Sequence, residues 1–345
     1  MAHFIHRKRR SCFARPARVS DPALPALQYN TPHERSKAGT HRGRAERAWT
    51  RKHRLVSSVL VGAYIDPSQS PRRCHVPHDF LHTTLGRTGW PVFRIGFSAS
   101  YRPRPETVTA AVERGVNFFF GFGFDTHLRQ GLRKAFPRNR EKIHLATGAY
   151  NYIWGHGNLR RSLEKRLRQF GTDYIDVFMF MGIMKPKEFP IPILDEMLRL
   201  KEEGKVRAIG ITIHDRKFAG QLAEAGDLDV LMIRYNAAHR GAEREIFPLL
   251  SRHNPGLVSY TATRWTALTR KPRGWPENKQ LPPPAASYRF VLSHPAVHVC
   301  LMAPRSLREF EENMRQIEAG PLEDEEAAAM REFGDAVYRR QRWFM

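Results

Sequence analysis

The apolar positions of this chain change period in a repeating way. From Trp90 onward, short apolar runs predict strands at Val92–Ile95, Val116–Phe119, Ile143–Ala146, Tyr174–Phe180, Val206–Ile211, Val230–Ile233, Leu257–Tyr260 and Val297–Leu301. Between them, apolar residues recur at the three-and-four spacing of helices. Pro105–Arg114 opens with proline and stops before Gly115, the usual punctuation of a helix. Leu159, Leu163 and Leu167 share one face opposite Arg and Lys, with Gly171 closing that helix. Leu194, Met197, Leu198 and Leu200 mark another, ended by Gly204; Leu222 and Ala225 mark a shorter one, and Ile246, Leu249 and Leu250 a further one. Val291–Leu292 and Phe310–Met314 supply the last two around the ring.

Strands alternating with helices imply a parallel sheet. Eight such units over about 265 residues fit a closed α/β barrel, a (β/α)8 or TIM barrel, better than an open doubly wound sheet. The open sheet is the alternative, and the missing GxGxxG after the first strand weighs against it. Glu323–Arg339, acidic at its start and basic at its end, predicts an extra C-terminal helix whose charges suit the helix dipole. The expected organisation is a basic, disordered extension over 1–80 and the barrel over 81–345.

Composition changes this picture at the N-terminus. The chain has 345 residues, 57 Lys+Arg against 34 Asp+Glu, and a net charge of +23. Residues 1–80 hold 16 basic and 5 acidic residues, a net +11, which leaves 41 − 29 = +12 for the rest. High charge with little periodicity predicts disorder there. Only Leu55–Tyr64 is apolar, and it falls short of the roughly 18 residues that span a bilayer. Three readings compete: a basic arm for nucleic acid, without the aromatic interleaving such arms use; a transit peptide, since residues 1–20 are Arg-rich and acid-free; and upstream sequence before a non-Met start such as Val76. The third is favoured, because Met179 is the next methionine after Met1. Three distant cysteines, Cys12, Cys74 and Cys300, form no CxxC and argue against a disulfide scaffold or thiolate metal site. A cytoplasmic protein is expected, with no membrane or nucleic-acid partner, no bound metal, and an oligomeric state the sequence leaves open.

Six ordered stretches carry a family resemblance: TLGRTGWPVFRIGF (84–97), AAVERGVNFF (110–119), RRSLEKRLRQFGTDYIDVF (160–178), LKEEGKVRAIGIT (200–212), DVLMIRYNAAHRGAEREIFPLL (229–250) and LREFEEN (307–313). Together they resemble the aldo/keto reductases over nearly the whole barrel. The resemblance implies hydride transfer between a nicotinamide cofactor, NADP or NAD, and a small carbonyl or alcohol. In that family a Tyr donates the proton, a Lys and an Asp tune it, and a His orients the carbonyl; such general-acid catalysis needs a lowered Tyr pKa. By the resemblance those positions hold Phe120 for Asp, Asp125 for Tyr, Gly148 for Lys and Met181 for His. Phe and Met neither donate nor accept a catalytic proton.

The resemblance further implies that Tyr260 stacks on the nicotinamide and that Thr261–Leu268 covers the pyrophosphate. Arg305, Ser306, Glu312 and Asn313 match positions around the 2′-phosphate and adenine. Glu309 falls where many members carry Arg or Gln, and a carboxylate there repels a 2′-phosphate, which Arg305 and Arg308 could offset. The Asn and Gln that hold the carboxamide are replaced by Ile213 and Met232. Replacement acid–base groups are sought among Asp125 (with His127), His214 and the hydroxyls of Tyr150 and Tyr152. For Asp125 and Asp215 the competing reading is a helix N-cap. Asn236 reads as a turn-holder, His239 as a surface residue in preference to a ligand contact, and Tyr150–Tyr152 as exposed loop. The alternative function is a non-catalytic barrel that binds a nucleotide or protein partner.

Overall fold

The computed structural model describes residues 79–150 and 158–340. The extension up to residue 78, including the Leu55–Tyr64 run, lies outside the described residues, as do Asn151 and Tyr152. A short antiparallel hairpin, β1 (His82–Thr84) and β2 (Pro91–Phe93), precedes the ring. The ring itself is β3 (Ile95–Ser98), β4 (Phe118–Phe120), β5 (His144–Tyr150), β6 (Ile175–Ile183), β7 (Val206–Ile213), β8 (Val230–Arg234), β9 (Gly256–Tyr260) and β10 (Val299–Met302). All neighbours are parallel, and β10 pairs with both β9 and β3, so the eight strands close. The expected (β/α)8 barrel is the architecture.

Helices α1 (Pro105–Glu113), α2 (Thr126–Asn139), α3 (Leu159–Phe170), α4 (Ile191–Glu202), α5 (Arg216–Ala225), α6 (Ala242–Glu245), α7 (Pro284–Leu292), α8 (Leu307–Ile317) and α9 (Asp324–Arg340) follow in order. Local chemistry fixes several ends. The Asn158 side chain accepts from Arg161 N at the start of α3, and left-handed Gly171 ends it. Asp215 accepts from Phe218 N, the N-cap read from sequence. α9 is the expected C-terminal helix.

Two predicted elements need correction. The run Val92–Ile95 is not one strand: Pro91–Phe93 belongs to the hairpin, and the barrel strand begins at Ile95. Arg94 breaks the run, because its buried guanidinium turns out to donate to Leu292 O (2.7 Å) and Val297 O (2.9 Å). The helical spacing at Ile246–Leu250 yields the four-residue α6 and a 3-10 turn at Phe247–Leu249. Pro248 lacks an amide and its ring collides with a continuing α-turn.

Strand alternation sends every second residue inward. The resulting interior is apolar, with Phe118 and Phe120, Ala146, Val177, Met179 and Met181, Ala208, Val230 and Met232 in one cluster. Leu85 and Val92 close it from the hairpin side, with Trp90 packed against them. Two carboxylates tie strand starts together. Asp176 is fully buried and accepts from Arg140 (2.8 Å), Arg207 (2.8 Å) and Leu145 N (2.9 Å). Asp229 accepts from Lys201 (2.6 Å), Arg87 (3.1 Å) and Ile209 N (2.9 Å). Among the described residues, no helix is long and apolar enough to cross a membrane, and no cluster of three His, Cys, Asp or Glu could hold a metal.

Asp176→Ala is expected to strand two guanidinium groups and a backbone amide. The loss should be about 3–5 kcal/mol, the usual cost of breaking a buried pair from one side. Urea unfolding would measure it; a loss under about 1 kcal/mol would show that Arg140 and Arg207 find other acceptors.

Candidate active site

A barrel of this kind exposes its functional groups at the C-terminal strand ends. Inward alternation carries Tyr150 to the mouth from β5, Arg234 from β8 and Tyr260 from β9, and His214 follows β7 in the same phase. Arg234 is the register partner of Tyr260. His214 N still donates to Ile183 O at 2.8 Å, so its backbone continues the ladder. The Tyr260 hydroxyl lies 3.3 Å from His214 Nδ1 and 3.4 Å from Nε2, with the rings edge to face. Burial pushes the Tyr260 phenol well above its ordinary range, and Arg234 pulls it part of the way back. The phenol therefore stays protonated.

Across the mouth stands a second group. The Asp125 carboxylate accepts from Phe122 N and Gly123 N, clamping the FGFD turn rather than capping α2. Burial raises its pKa, and those two amides oppose the rise. Arg166 reaches in from α3, donating to Gly148 O at 3.0 Å and to Gln169 Oε1 at 2.7 Å. It lies so close over Gly123 that a Cβ there would stand 1.9 Å from a guanidinium nitrogen. Tyr150 is half-buried at a strand end, not in an exposed loop, and burial drives its pKa far up. Phe122 stacks on Phe124 and on Tyr150, so the mouth on this side is a row of rings. His127 sits apart, its Nδ1 3.1 Å from Pro103 O.

Three of the positions that the resemblance matches to a catalytic tetrad, Phe120, Gly148 and Met181, lie in β4, β5 and β6. Phe120 and Met181 face inward and are buried in the core cluster. At Gly148 a Cβ would lie 1.8 Å from Met179 O and within 2.8 Å of two further Met179 backbone atoms. No side chain fits there without moving β6.

His239 is not the surface residue expected from sequence. Its Nε2 accepts from Arg264 Nε at 3.1 Å, and burial first, then Arg234, Arg264 and Arg216, hold its pKa down to about 3. Asn236 is a turn-holder as read: its Oδ1 accepts from Ala238 N and His239 N, and its Nδ2 donates to Thr261 O at 2.8 Å. The loop after β9 is strained. Thr261, Arg264, Trp265 and Thr266 all have φ between 49 and 68°, a region that costs non-glycine residues free energy and gathers at ligand sites.

The Arg305–Asn313 segment departs from a ready phosphate site. Ser306 Oγ caps α8 by accepting from Glu309 N (3.2 Å), and Glu309 Oε2 accepts from Arg305 N (3.1 Å). One orphan amide of the helix start, Glu309 N, and the preceding Arg305 N thus face the protein's own oxygens. Arg305 lies over the Tyr101 ring, Glu312 is exposed, and Asn313 is buried against Met302 Sδ. Sequence reasoning missed Arg234, Arg264 and Arg166, because arginines on a basic chain read as solvated charge; the one signal that could have found Arg234 is the inward phase of β8.

Comparison with known proteins gives the site a context. The model of the aldo/keto reductase family matches residues 99–335. The chain is similar to the NADH-specific methylglyoxal reductase of Escherichia coli K12, 32% identical over 97 residues, which is 27% of this chain and 29% of that protein. In structure it resembles an aldo-keto reductase of Bacillus halodurans in its holo form, with a TM-score of 0.63 and 21% identity over 76% of this chain and 99% of that one. It also resembles an aldo/keto reductase of Klebsiella pneumoniae in complex with NADP and acetate, with a TM-score of 0.60 and 19% identity over 73% and 95% of the two chains.

Two outcomes follow from this geometry. Gly148→Ala should cost about 1–3 kcal/mol by overpacking, lowering Tm by several degrees; an unchanged Tm would mean that β5 and β6 separate freely. His239 and His298 both act as neutral acceptors, the second taking Leu257 N at 2.9 Å with its pKa pressed to about 4, chiefly by burial. Unfolded imidazoles take up protons near the ordinary value of about 6.5. The unfolded chain then binds more protons than the folded one, so stability falls as pH drops from about 6.5 towards 4. Tm measured across that range should fall less steeply in His298→Gln.

Proposed function

This chain belongs to the aldo/keto reductase family, and on that premise we propose that it is a nicotinamide-dependent oxidoreductase acting on a small carbonyl or alcohol with a non-standard proton donor. The observation that carries the reading is the His214–Tyr260 pair at the barrel mouth, followed directly by the strained loop Thr261–Thr266.

The residues present fit a nicotinamide dinucleotide. Tyr260 offers a ring at the strand end, Thr261 and the loop beyond it approach with strained backbone, and Arg234 and Arg264 supply positive charge. Arg305, Ser306, Glu312 and Asn313 remain the candidates for the adenosine end. When bound, the nicotinamide supplies or accepts a hydride; the protein must manage the proton. His214 is the proton-handling group of this reading, since an imidazole can both donate and accept a proton and its Nδ1 lies 3.3 Å from the Tyr260 hydroxyl. The Tyr260 hydroxyl, kept protonated by burial, orients that ring. Asp125 is engaged by two amides and Tyr150 is far too weak an acid at neutral pH, so both rank behind His214.

Glu309 sets the expected preference. A carboxylate holding Arg305 N leaves like charge where a 2′-phosphate would sit. NADH is therefore the favoured cofactor over NADPH, and the NADH-specific relative is consistent with that reading.

A second reading keeps the binding site and drops the turnover. By the resemblance, three of the four tetrad positions fall on Phe120, Met181 and the sterically closed Gly148, which would leave them without a proton-transfer group and suits a barrel that senses a nucleotide.

Fluorescence titration of the full chain should show saturable NADH binding, at least tenfold weaker NADPH binding, and a narrowing of that gap in Glu309→Gln. Binding of neither would remove the oxidoreductase reading. Given binding, an aldehyde and ketone panel should reveal NADH oxidation that His214→Ala lowers by about 10²-fold or more, the usual share of a general acid. No oxidation with any substrate would leave the sensor reading standing, and full activity in His214→Ala would return the role to Asp125 or Tyr150.

A further inference from the structure

The last helix reaches the barrel mouth from behind. α9 buries Met330, Phe333 and Val337, the three-and-four spacing of a docked helix face. Gly334 sits beside them in the helix interior, where glycine is normally a cost. Its use here is close approach. A Cβ at Gly334 would stand 2.2 Å from Ala237 O and 2.9 Å from Ala238 N. The α9 backbone therefore rests directly on the turn that follows β8.

That turn also holds the loop after β9. Asn236 is fully buried; its Oδ1 fixes the turn by accepting from Ala238 N and His239 N, each at 3.0 Å, and its Nδ2 donates to Thr261 O at 2.8 Å. α9 reaches the loop a second time near its centre. Arg264 donates from Nη1 to Val337 O at 3.4 Å and from Nε to His239 Nε2 at 3.1 Å, and the Tyr338 ring meets the His239 ring edge to face at 5.4 Å. A third contact lies further along, where the Phe333 ring meets Trp275 at 5.1 Å and Glu332 pairs with Lys279 at 2.6 Å. The loop so held is the one with Thr261, Arg264, Trp265 and Thr266 in the left-handed region. Such a shape lasts only where its surroundings impose it, and α9 supplies part of that imposition.

We infer that α9 regulates the ligand site at the mouth: docked through Gly334 and Val337, it holds the Thr261–Thr266 loop in its strained shape, and the affinity for a nicotinamide dinucleotide depends on that hold. Coupling of this kind is reciprocal, so a bound dinucleotide also seats α9. The affinity half rests on the reading that the loop closes over such a cofactor; the mechanical half, α9 restraining the loop, does not.

The test is amide hydrogen exchange of the full chain, read by mass spectrometry, beside fluorescence titration with NADH. The loop carries its own reporters, since Arg264 N, Ala267 N and Leu268 N donate to Thr261 O, Arg264 O and Thr263 O. In Gly334→Ala, the amides of α9 and of 264–268 should exchange about tenfold faster or more, with those of β6 and β7 unchanged. NADH should bind that variant about fivefold more weakly or worse, the low end of coupling between sites. In the unaltered protein, NADH should slow exchange in α9, a readout that a merely structural helix would not move. Where circular dichroism melts show that Gly334→Ala fails to fold, Tyr338→Ala, which takes an exposed ring from His239, carries the same comparison. Faster exchange in α9 with the loop unchanged would overturn the inference, and so would no change in either. A loosened loop with undiminished NADH affinity, or bound NADH that leaves α9 exchange untouched, would overturn the affinity half and leave the cofactor reading intact. A loosened loop in a protein whose unaltered form binds no NADH would uphold the restraint and remove the oxidoreductase reading.

Discussion

A closed ring of eight parallel strands permits only two directions for a side chain, and everything else in this molecule follows from that restriction. Residues of one phase are sealed inside and must be apolar and of matching volume; those of the other phase meet helices. The hairpin stops the lower end with Leu85 and Val92. Polar chemistry is left with one place, the upper ends of the strands, where the inward phase first meets solvent. Tyr150, His214, Arg234 and Tyr260 are there for that reason. The buried carboxylates Asp176 and Asp229 serve the opposite end, where they join loops to strand starts.

The mouth is uneven in its chemistry. On the side of β4 to β6, the inward positions are held by Phe120, Gly148 and Met181, and Asp125 secures a turn. On the side of β7 to β9, imidazole, phenol and guanidinium stand on adjacent strands. The family assignment and this uneven mouth are compatible, since the fold needs only volume and phase at the inward positions, whereas catalysis needs particular atoms at a few of them.

Much of the architecture was legible because period and punctuation are local. Leu159, Leu163 and Leu167 with Gly171 define a helix without reference to anything distant, and so do the strands at Val206 and Val230. What escaped depended on distant partners. Arg94 splits an apolar run only because Leu292 O and Val297 O, some two hundred residues away, accept from it. The resemblance drew attention to Gly148, but the steric closure there was not legible, because it is made by Met179 backbone. Arg234 passed unnoticed since its identity suggests solvent and only its phase suggests the mouth; His239 looked exposed because its partner, Arg264, lies on another loop.

The contact at Gly148 also bears on what this position can accept. Two strands have drawn so close that a single added carbon collides with Met179 O. Any side chain there, a lysine included, needs the backbones of β5 and β6 to part first. The narrowing works as a lock: it keeps this stretch of β5 bare, so that chemistry at the mouth is left to groups on other strands.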